Sequence, residues 1–281
     1  MFQTDLLRDQ TFLVTGGGTG LGRAMAERFA SVGARVGILG RRTEPLEATV
    51  EAIRQAGGTA AWQSTDVRDP AAVGQAVDDL EADLGPIHAL VNNAAGNFLA
   101  PSEELSPRAF DAVVQIVLYG TFHCTMELGR RWIERETPGQ ILSIVTTYAW
   151  MGSPFVLPSA CAKSGVLTMT RSLAVEWGTY GIRLNAIAPG PFPTEGAFSR
   201  LMPEGMLETA KKAIPLGRFG EPEELADLAT FMVSPGAAYL NGECITLDGG
   251  EWLKNGQEFS HFTDYPRADV KAMLANMKPK K

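Results

Sequence analysis

The chain has 281 residues, 45% of them hydrophobic, with 32 acidic against 25 basic side chains and a formal net charge of −7. That length suits one large domain or two small ones and the composition is globular, while the acidity argues against a dedicated nucleic-acid surface. No apolar run reaches membrane-spanning length, so membrane insertion is not expected. "MFQTDLLRDQ" lacks the apolar core of a signal peptide, which points to the cytoplasm.

Seven short apolar segments read as buried parallel strands. They are "TFLVT" (11–15), "RVGIL" (35–39), "TAAWQS" (59–64), "IHALVN" (87–92), "QILSIVT" (140–146), "IRLNAIA" (182–188) and "CITLD" (244–248). Between the early ones, "LGRAMAERFASVG" and "PLEATVEAIRQAGG" carry apolar residues at helical spacing and end in glycine. This alternation predicts an α/β fold, a Rossmann-like doubly wound parallel sheet of seven strands with helices on both faces. No shift in composition marks a linker, so residues 1–281 are expected to form a single domain. A mobile lid is expected near 190–215, after "PGPFPTEG", and a polar tail from about residue 254 that packs on a neighbour or on the domain's edge. Cys124, Cys161 and Cys244 have no metal or redox spacing and are expected to be buried thiols; no metal site is expected. The "KPKK" end reads as a solvated terminus.

The first strand runs into "TGGGTGLG", which places Gly16, Gly20 and Gly22 where strand turns into helix. Glycine there allows a tight turn and close backbone approach, and the helix N-terminus attracts a pyrophosphate. Thr15, Gly18, Thr19 and Leu21 belong to the same turn. The second strand ends in Gly40, Arg41 and Arg42, where an acidic residue would hydrogen-bond a ribose 2′-hydroxyl. Arginine suits a 2′-phosphate instead, so the expected cofactor is NADPH; the other reading is two solvated arginines at a helix start.

With these residues the chain resembles the short-chain dehydrogenase/reductase family over nearly its whole length. "DV" at 66–67, "NNAAG" at 92–96 and "PGPFPT" at 189–194 carry the resemblance further. It implies that Asp66 and Val67 hold the adenine and that Asn93, Ala94 and Gly96 line the cofactor. It also implies that the loop of Pro189, Gly190, Pro191, Phe192 and Thr194 covers the nicotinamide.

The family's usual catalytic set is altered here. Thr146 stands for the serine after the fifth strand, Ser159 for the tyrosine four residues before Lys163, and Val117 for the asparagine of the long preceding helix. Lys163 remains, and Ser159 shares its helix face at i and i+4. Tyr148, just past the fifth strand, and Asn97, just past the fourth, are positioned at the carboxyl ends of the sheet where doubly wound folds bind ligands. Taken singly, Tyr148 reads as a packing residue and Asn97 as a turn residue; as a set with Lys163 they read as a relocated donor site. Lys163 is expected to lower the Tyr148 pKa and to hold ribose hydroxyls.

This pattern is similar to that of the mitochondrial-type 2,4-dienoyl-CoA reductases, through "NNAAGNF" (92–98), Tyr148, "PSACAK" (158–163) and "GPFPTEGAFSRL" (190–201). The resemblance implies that Asn97 and Tyr148 bind the thioester carbonyl of an acyl-CoA, that Ser159 supports them, and that Arg68, Phe98, Ser106 and Arg200 contact the acyl-CoA. It also implies a homo-oligomer, commonly a tetramer, through the long helices near 106–135 and 158–178. The expected reaction is NADPH-dependent reduction of 2,4-dienoyl-CoA to 3-enoyl-CoA in unsaturated fatty acid β-oxidation. Two other readings stay open: a different enoyl-CoA or carbonyl reductase on the same site, and a non-catalytic NADP-binding scaffold.

Overall fold

The computed structural model describes residues 2–194, 205 and 207–276. Seven strands form one sheet: β1 (Thr11–Thr15), β2 (Arg35–Gly40), β3 (Thr59–Ser64), β4 (Ala89–Asn92), β5 (Gly139–Ile144), β6 (Ile182–Pro189) and β7 (Cys244–Leu247). Their order is β3-β2-β1-β4-β5-β6-β7, and every adjacent pair is parallel. The strands agree with the expected segments to within two residues at each end.

Strand side chains alternate between two buried faces. Phe12 and Val14 of β1 join Val36 and Ile38 of β2 in a core beneath α1 (Gly20–Ser31), α2 (Thr43–Gln55) and the helix Pro222–Val233. Leu13 and Leu39 point the other way, against α3 (Pro70–Leu84), with Val77 and Leu80, and against Leu128 and Trp132 of α5 (Gly120–Glu134). A parallel sheet covered on both faces needs apolar side chains at nearly every strand position, which explains the unbroken apolar runs. Helix starts are written locally: Asp69 caps α3 by accepting from the Ala71 and Ala72 amides, with Pro70 in the first turn.

The chain winds outward from β1 to β3, then crosses back to β4 on the other side of β1. The carboxyl ends of β1 and β4 therefore flank the point where winding reverses, where such sheets leave a crevice. Thr15 ties the two strands together. Its hydroxyl donates to the Val91 carbonyl at 3.3 Å and accepts from the Asn93 and Ala94 amides, each at 3.0 Å.

Three further helices complete this edge: α4 (Pro107–Val114), α6 (Tyr148–Met151) and α7 (Leu157–Glu176). Between α4 and α5, Gln115–Tyr119 forms a π-helical turn, so the long helix expected near 106–135 is continuous but locally widened. Val117 in that turn is buried, and its carbonyl accepts from the Thr121 hydroxyl at 2.7 Å. The C-terminal segment packs on the protein's own edge: Lys254 donates to the Lys212 carbonyl and pairs with Asp264, and Trp252 meets Trp150 edge-on.

One expectation about the cysteines is corrected. Cys124 is buried and Cys244 partly so, but Cys161 is exposed. The buried face of α7 runs through Ser159, Ala162, Lys163 and Val166, and Cys161 falls on its opposite side.

Candidate active site

A cleft of about 690 Å³ opens at the reversal point. Its floor is the β1–α1 turn. Gly16 and Gly20 have φ of +66° and +55°, a left-handed backbone that favours glycine. A Cβ on Gly22 would fall 2.3 Å from the Gly16 carbonyl oxygen, so only glycine lets α1 close on the strand end. Asn93 braces the same turn by donating its Nδ2 to the carbonyls of Thr15 at 3.1 Å and Gly16 at 3.3 Å. Thr19 occupies the N-cap position of α1 without using its side chain as a cap, and no acidic residue lies in the first turn. The first amides of α1 are thus available to an anion.

At the far end of β2, Arg41 and Arg42 line the cleft and are exposed, and neither guanidinium has an ion-pair partner among the described residues. Asp66 and Val67 line the adjacent wall. Arg68 grips Asp66 with Nε at 2.9 Å and Nη2 at 2.5 Å, and these bonds hold the Asp66 carboxyl below its ordinary pKa. Arg68 itself is outside the cleft lining and already has a partner.

The other end of the cleft brings Asn97, Tyr148, Ser159 and Lys163 together. The Tyr148 hydroxyl lies 3.0 Å from Ser159 Oγ and accepts from Asn97 Nδ2 at 3.4 Å. Asn97 is oriented by its own backbone: its Oδ1 accepts from the Phe98 amide at 2.9 Å, leaving Nδ2 turned to Tyr148. An amide NH₂ has two hydrogens, so one remains for a ligand. If Ser159 donates to the phenol, the Tyr148 proton is likewise free to be donated.

Electrostatics here differ from expectation. Burial raises the Tyr148 pKa, opposed by hydrogen bonds from Ser159 and Thr146; the expected lowering by Lys163 does not occur. The Lys163 ammonium is buried and turned to the Ile144 carbonyl, to which it donates. With no counter-charge beside it, desolvation lowers its own pKa to about 8.

Several expected residues lie elsewhere. Thr15 and Gly22 act behind the turn, as described. Pro189 ends β6, and a Cβ on Gly190 would fall 2.6 Å from Asp248 Cβ, so that glycine serves strand packing. The Pro191 carbonyl accepts from the Gly220 amide, and Phe192 is a core residue against Gly220; of this loop only Thr194 reaches the cleft, over Gly20. Phe98 packs on the cluster of Val113 and Val117, and the Ser106 hydroxyl caps α4 through the Ala109 amide at 3.1 Å. Arg200, with residues 195–204 and 206 of the lid expected at 190–215, lies outside the described residues. Ala95, Ile116, Ile144 and Val145 line the cleft without having been expected. Ile144 and Val145 were open to inference as the end of the fifth strand, whereas Ile116 depends on the π-helical turn.

Among the described residues no cluster of His, Cys, Asp and Glu could hold a metal ion, and no helix is long and apolar enough to cross a membrane.

Comparison with known proteins agrees with this architecture. A family model described as enoyl-(acyl carrier protein) reductase matches residues 16–251. An uncharacterised oxidoreductase of Caenorhabditis elegans is 50% identical over 91% of this chain and 84% of its own. A Bacillus subtilis protein named as a probable 2,4-dienoyl-CoA reductase producing (2E)-enoyl-CoA is 45% identical, covering 88% and 98%. A C. elegans protein named as a probable 2,4-dienoyl-CoA reductase producing (3E)-enoyl-CoA is 46% identical, covering 92% and 85%. Among solved structures, a short-chain dehydrogenase of Bacillus anthracis superposes with a TM-score of 0.82 at 45% identity, covering 88% and 98%. An Agrobacterium tumefaciens structure assigned to 2-deoxy-D-gluconate 3-dehydrogenase and holding NADP has a TM-score of 0.82 at 32% identity, covering 89% and 100%. The chain belongs to the short-chain dehydrogenase/reductase family: it is a nicotinamide-dependent oxidoreductase similar to the 2,4-dienoyl-CoA reductases.

Proposed function

We propose that the protein reduces 2,4-dienoyl-CoA thioesters to 3-enoyl-CoA with NADPH, as one catalytic domain spanning residues 1–281. The observation that carries this reading is the hydrogen-bonded chain Asn97–Tyr148–Ser159 in the same cleft as the glycine turn. The names of relatives at 45% and 46% identity support the substrate class.

The cleft fits NADPH on its own terms. Gly16 and Gly22 let the β1–α1 turn close tightly beneath the cleft, α1 offers free amides, and Arg41 and Arg42 present unpaired charge where a 2′-phosphate would lie. In this reading Asp66 and Val67 take the adenine end, Lys163 the nicotinamide ribose and Thr194 the cover. Bound NADPH supplies the hydride.

Asn97 Nδ2 and the Tyr148 hydroxyl receive the thioester oxygen and donate to it as negative charge develops during reduction of the diene. The raised Tyr148 pKa keeps the phenol protonated at neutral pH, so it is a hydrogen-bond donor when the thioester binds. Ser159 holds the phenol in place. Protonation at the second carbon, by Tyr148 or by a water it holds, gives the 3-enoyl product.

A second regiochemistry has one specific observation in its favour, the (2E)-enoyl product recorded in the B. subtilis relative's name. Deuterated NADPH and 2,4-hexadienoyl-CoA test both. Deuterium at the fifth carbon of a 3-enoyl product is expected. The same label in a 2-enoyl product selects the second regiochemistry, and label at the third carbon removes dienoyl reduction. No turnover with cofactor bound leaves the scaffold reading. The proposed setting is unsaturated fatty acid β-oxidation in the cytoplasm. A homotetramer is proposed, supported by exposed Tyr119 just before α5, Phe122 on α5 and Val175 on α7.

A further inference from the structure

The segments that present Asn97, Tyr148 and Ser159 also carry large apolar side chains turned to solvent. Leu99 follows Asn97, Trp150 and Met151 lie on α6 behind Tyr148, Leu157 opens α7 ahead of Ser159, and Phe155 lies between the two helices; all five are exposed. Trp150 meets Trp252 edge-on with ring centroids 5.6 Å apart, which extends this surface to the helix Glu251–Gly256. Apolar residues scattered singly on a surface mean little, but a group carried on the segments that line a cleft marks a binding surface.

Phe155 is held there against its backbone preference. Its φ is +65°, a left-handed conformation that bulky residues rarely adopt and that glycine or asparagine would take without strain. The chain fixes it further, because the Phe155 carbonyl accepts from the Ala100 amide at 3.0 Å and ties this loop to the segment beyond Asn97. A strained, exposed aromatic tied to a cleft-lining segment points to a role in what the cleft binds.

Charge narrows the ligand. Residues 148–162, "YAWMGSPFVLPSACA", and residues 97–102, "NFLAPS", contain no charged side chain. These two segments therefore offer no cation to the phosphates of a CoA handle, Lys254 of the adjoining helix is paired with Asp264, and the surface suits an uncharged alkyl chain. We propose that it receives the acyl tail of the thioester and that Phe155 is a specificity-determining residue favouring long tails over short ones. The inference rests on the thioester reading: a carbonyl seated on Asn97 and Tyr148 leaves its tail to be shielded from water by neighbouring side chains.

The test is calorimetric titration of hexanoyl-CoA and dodecanoyl-CoA, both saturated and needing no turnover, into the protein with NADP⁺ present. The unmodified protein should bind dodecanoyl-CoA more tightly. Phe155→Asn relieves the backbone and removes the ring, so Tm should hold or rise. Each methylene that loses an apolar partner weakens binding by about fourfold, so dodecanoyl-CoA should lose about tenfold while hexanoyl-CoA stays within about twofold. Phe155→Leu, apolar and equally strained, should retain the preference. Equal loss on both thioesters, or no length preference in the unmodified protein, overturns the role of this surface alone. A changed sedimentation coefficient with unchanged affinities also overturns it, making the surface a contact between copies. Failure of both thioesters to bind while NADP⁺ still does overturns the thioester reading together with the inference.

Discussion

Lys163→Met should make the protein more stable and less active, because fold and proposed chemistry oppose each other at this residue. Lys163 is 7% exposed, and burial takes the pKa of its ammonium from 10.5 to about 8. A folded-state value below the unfolded one means that the unfolded chain binds the proton more tightly. The folded state is therefore penalised wherever both forms are charged, and the gap between 10.5 and about 8 corresponds to about 3 kcal/mol. Methionine keeps the length of the side chain and removes the charge. It also removes the bond to the Ile144 carbonyl, which costs about 1 kcal/mol. The net gain at pH 7 is about 2 kcal/mol, or roughly 4 °C in Tm for a chain of this size. The gain should shrink between pH 8 and 10.5, since the unmodified protein sheds its penalty as the folded lysine deprotonates first and then the unfolded one. Other titrating groups, such as the Cys124 thiol pushed up to about 12 by burial, act alike in both proteins and cancel in the difference. Urea denaturation of both proteins at pH 7 and pH 10, without cofactor, measures this directly. A variant less stable at pH 7, with a difference flat in pH, would refute the reasoning by showing that the ammonium is well solvated where it lies. The rise in Tm on adding NADPH should be smaller in the variant, because a ligand stabilises only through its affinity for the folded state.

Tyr148→Phe removes one hydroxyl and should lower kcat by about a hundredfold or more, as for loss of an oxyanion donor, with Asn97→Ala similar and Ser159→Ala milder. Steady-state rates that make Ser159→Ala the deadlier change would reverse these roles. Arg41→Ala should weaken NADPH and spare NADH, since only the 2′-phosphate loses a charge-assisted bond; equal affinities in the unmodified protein, by fluorescence titration, would remove the cofactor assignment.

The strands were legible because a sheet buried on both faces writes itself as uninterrupted apolar runs, and the glycine turn was legible because its geometry excludes a Cβ at Gly22. Asn97 and Tyr148 could be found from their places after β4 and β5. Their direction of hydrogen bonding could not, because it depends on the Phe98 amide holding the Asn97 carbonyl oxygen. Phe192 follows a loop motif that suggests the cofactor, and nothing in that motif shows that its ring packs over Gly220. A serine before Pro107 could be read as a helix cap, and the Ser106 hydroxyl does accept from the Ala109 amide. The fork of Arg68 around Asp66, two residues away, was not legible in the sequence. The φ of Phe155 left no trace in the sequence, because nothing in "SPFVL" asks for a left-handed residue.

The relocation of the phenol has an electrostatic consequence that bears on the reaction. A tyrosine at position 159 would share a helix face with the Lys163 ammonium, and a neighbouring cation favours the phenolate. Tyr148 comes instead from the end of the fifth strand, and its pKa is set by burial and by the neutral hydroxyls of Ser159 and Thr146. A general acid works best with a pKa near the working pH, because it must give up its proton in the rate-determining step. An oxyanion donor works best when it keeps its proton and is already aimed. Raising the Tyr148 pKa and fixing Asn97 from its own backbone therefore suit stabilisation of a thioester oxygen better than protonation of a carbonyl. On that ground the site suits the proposed reduction of a conjugated thioester better than ordinary carbonyl reduction, and the role proposed for Lys163 is to hold the cofactor rather than to tune an acid.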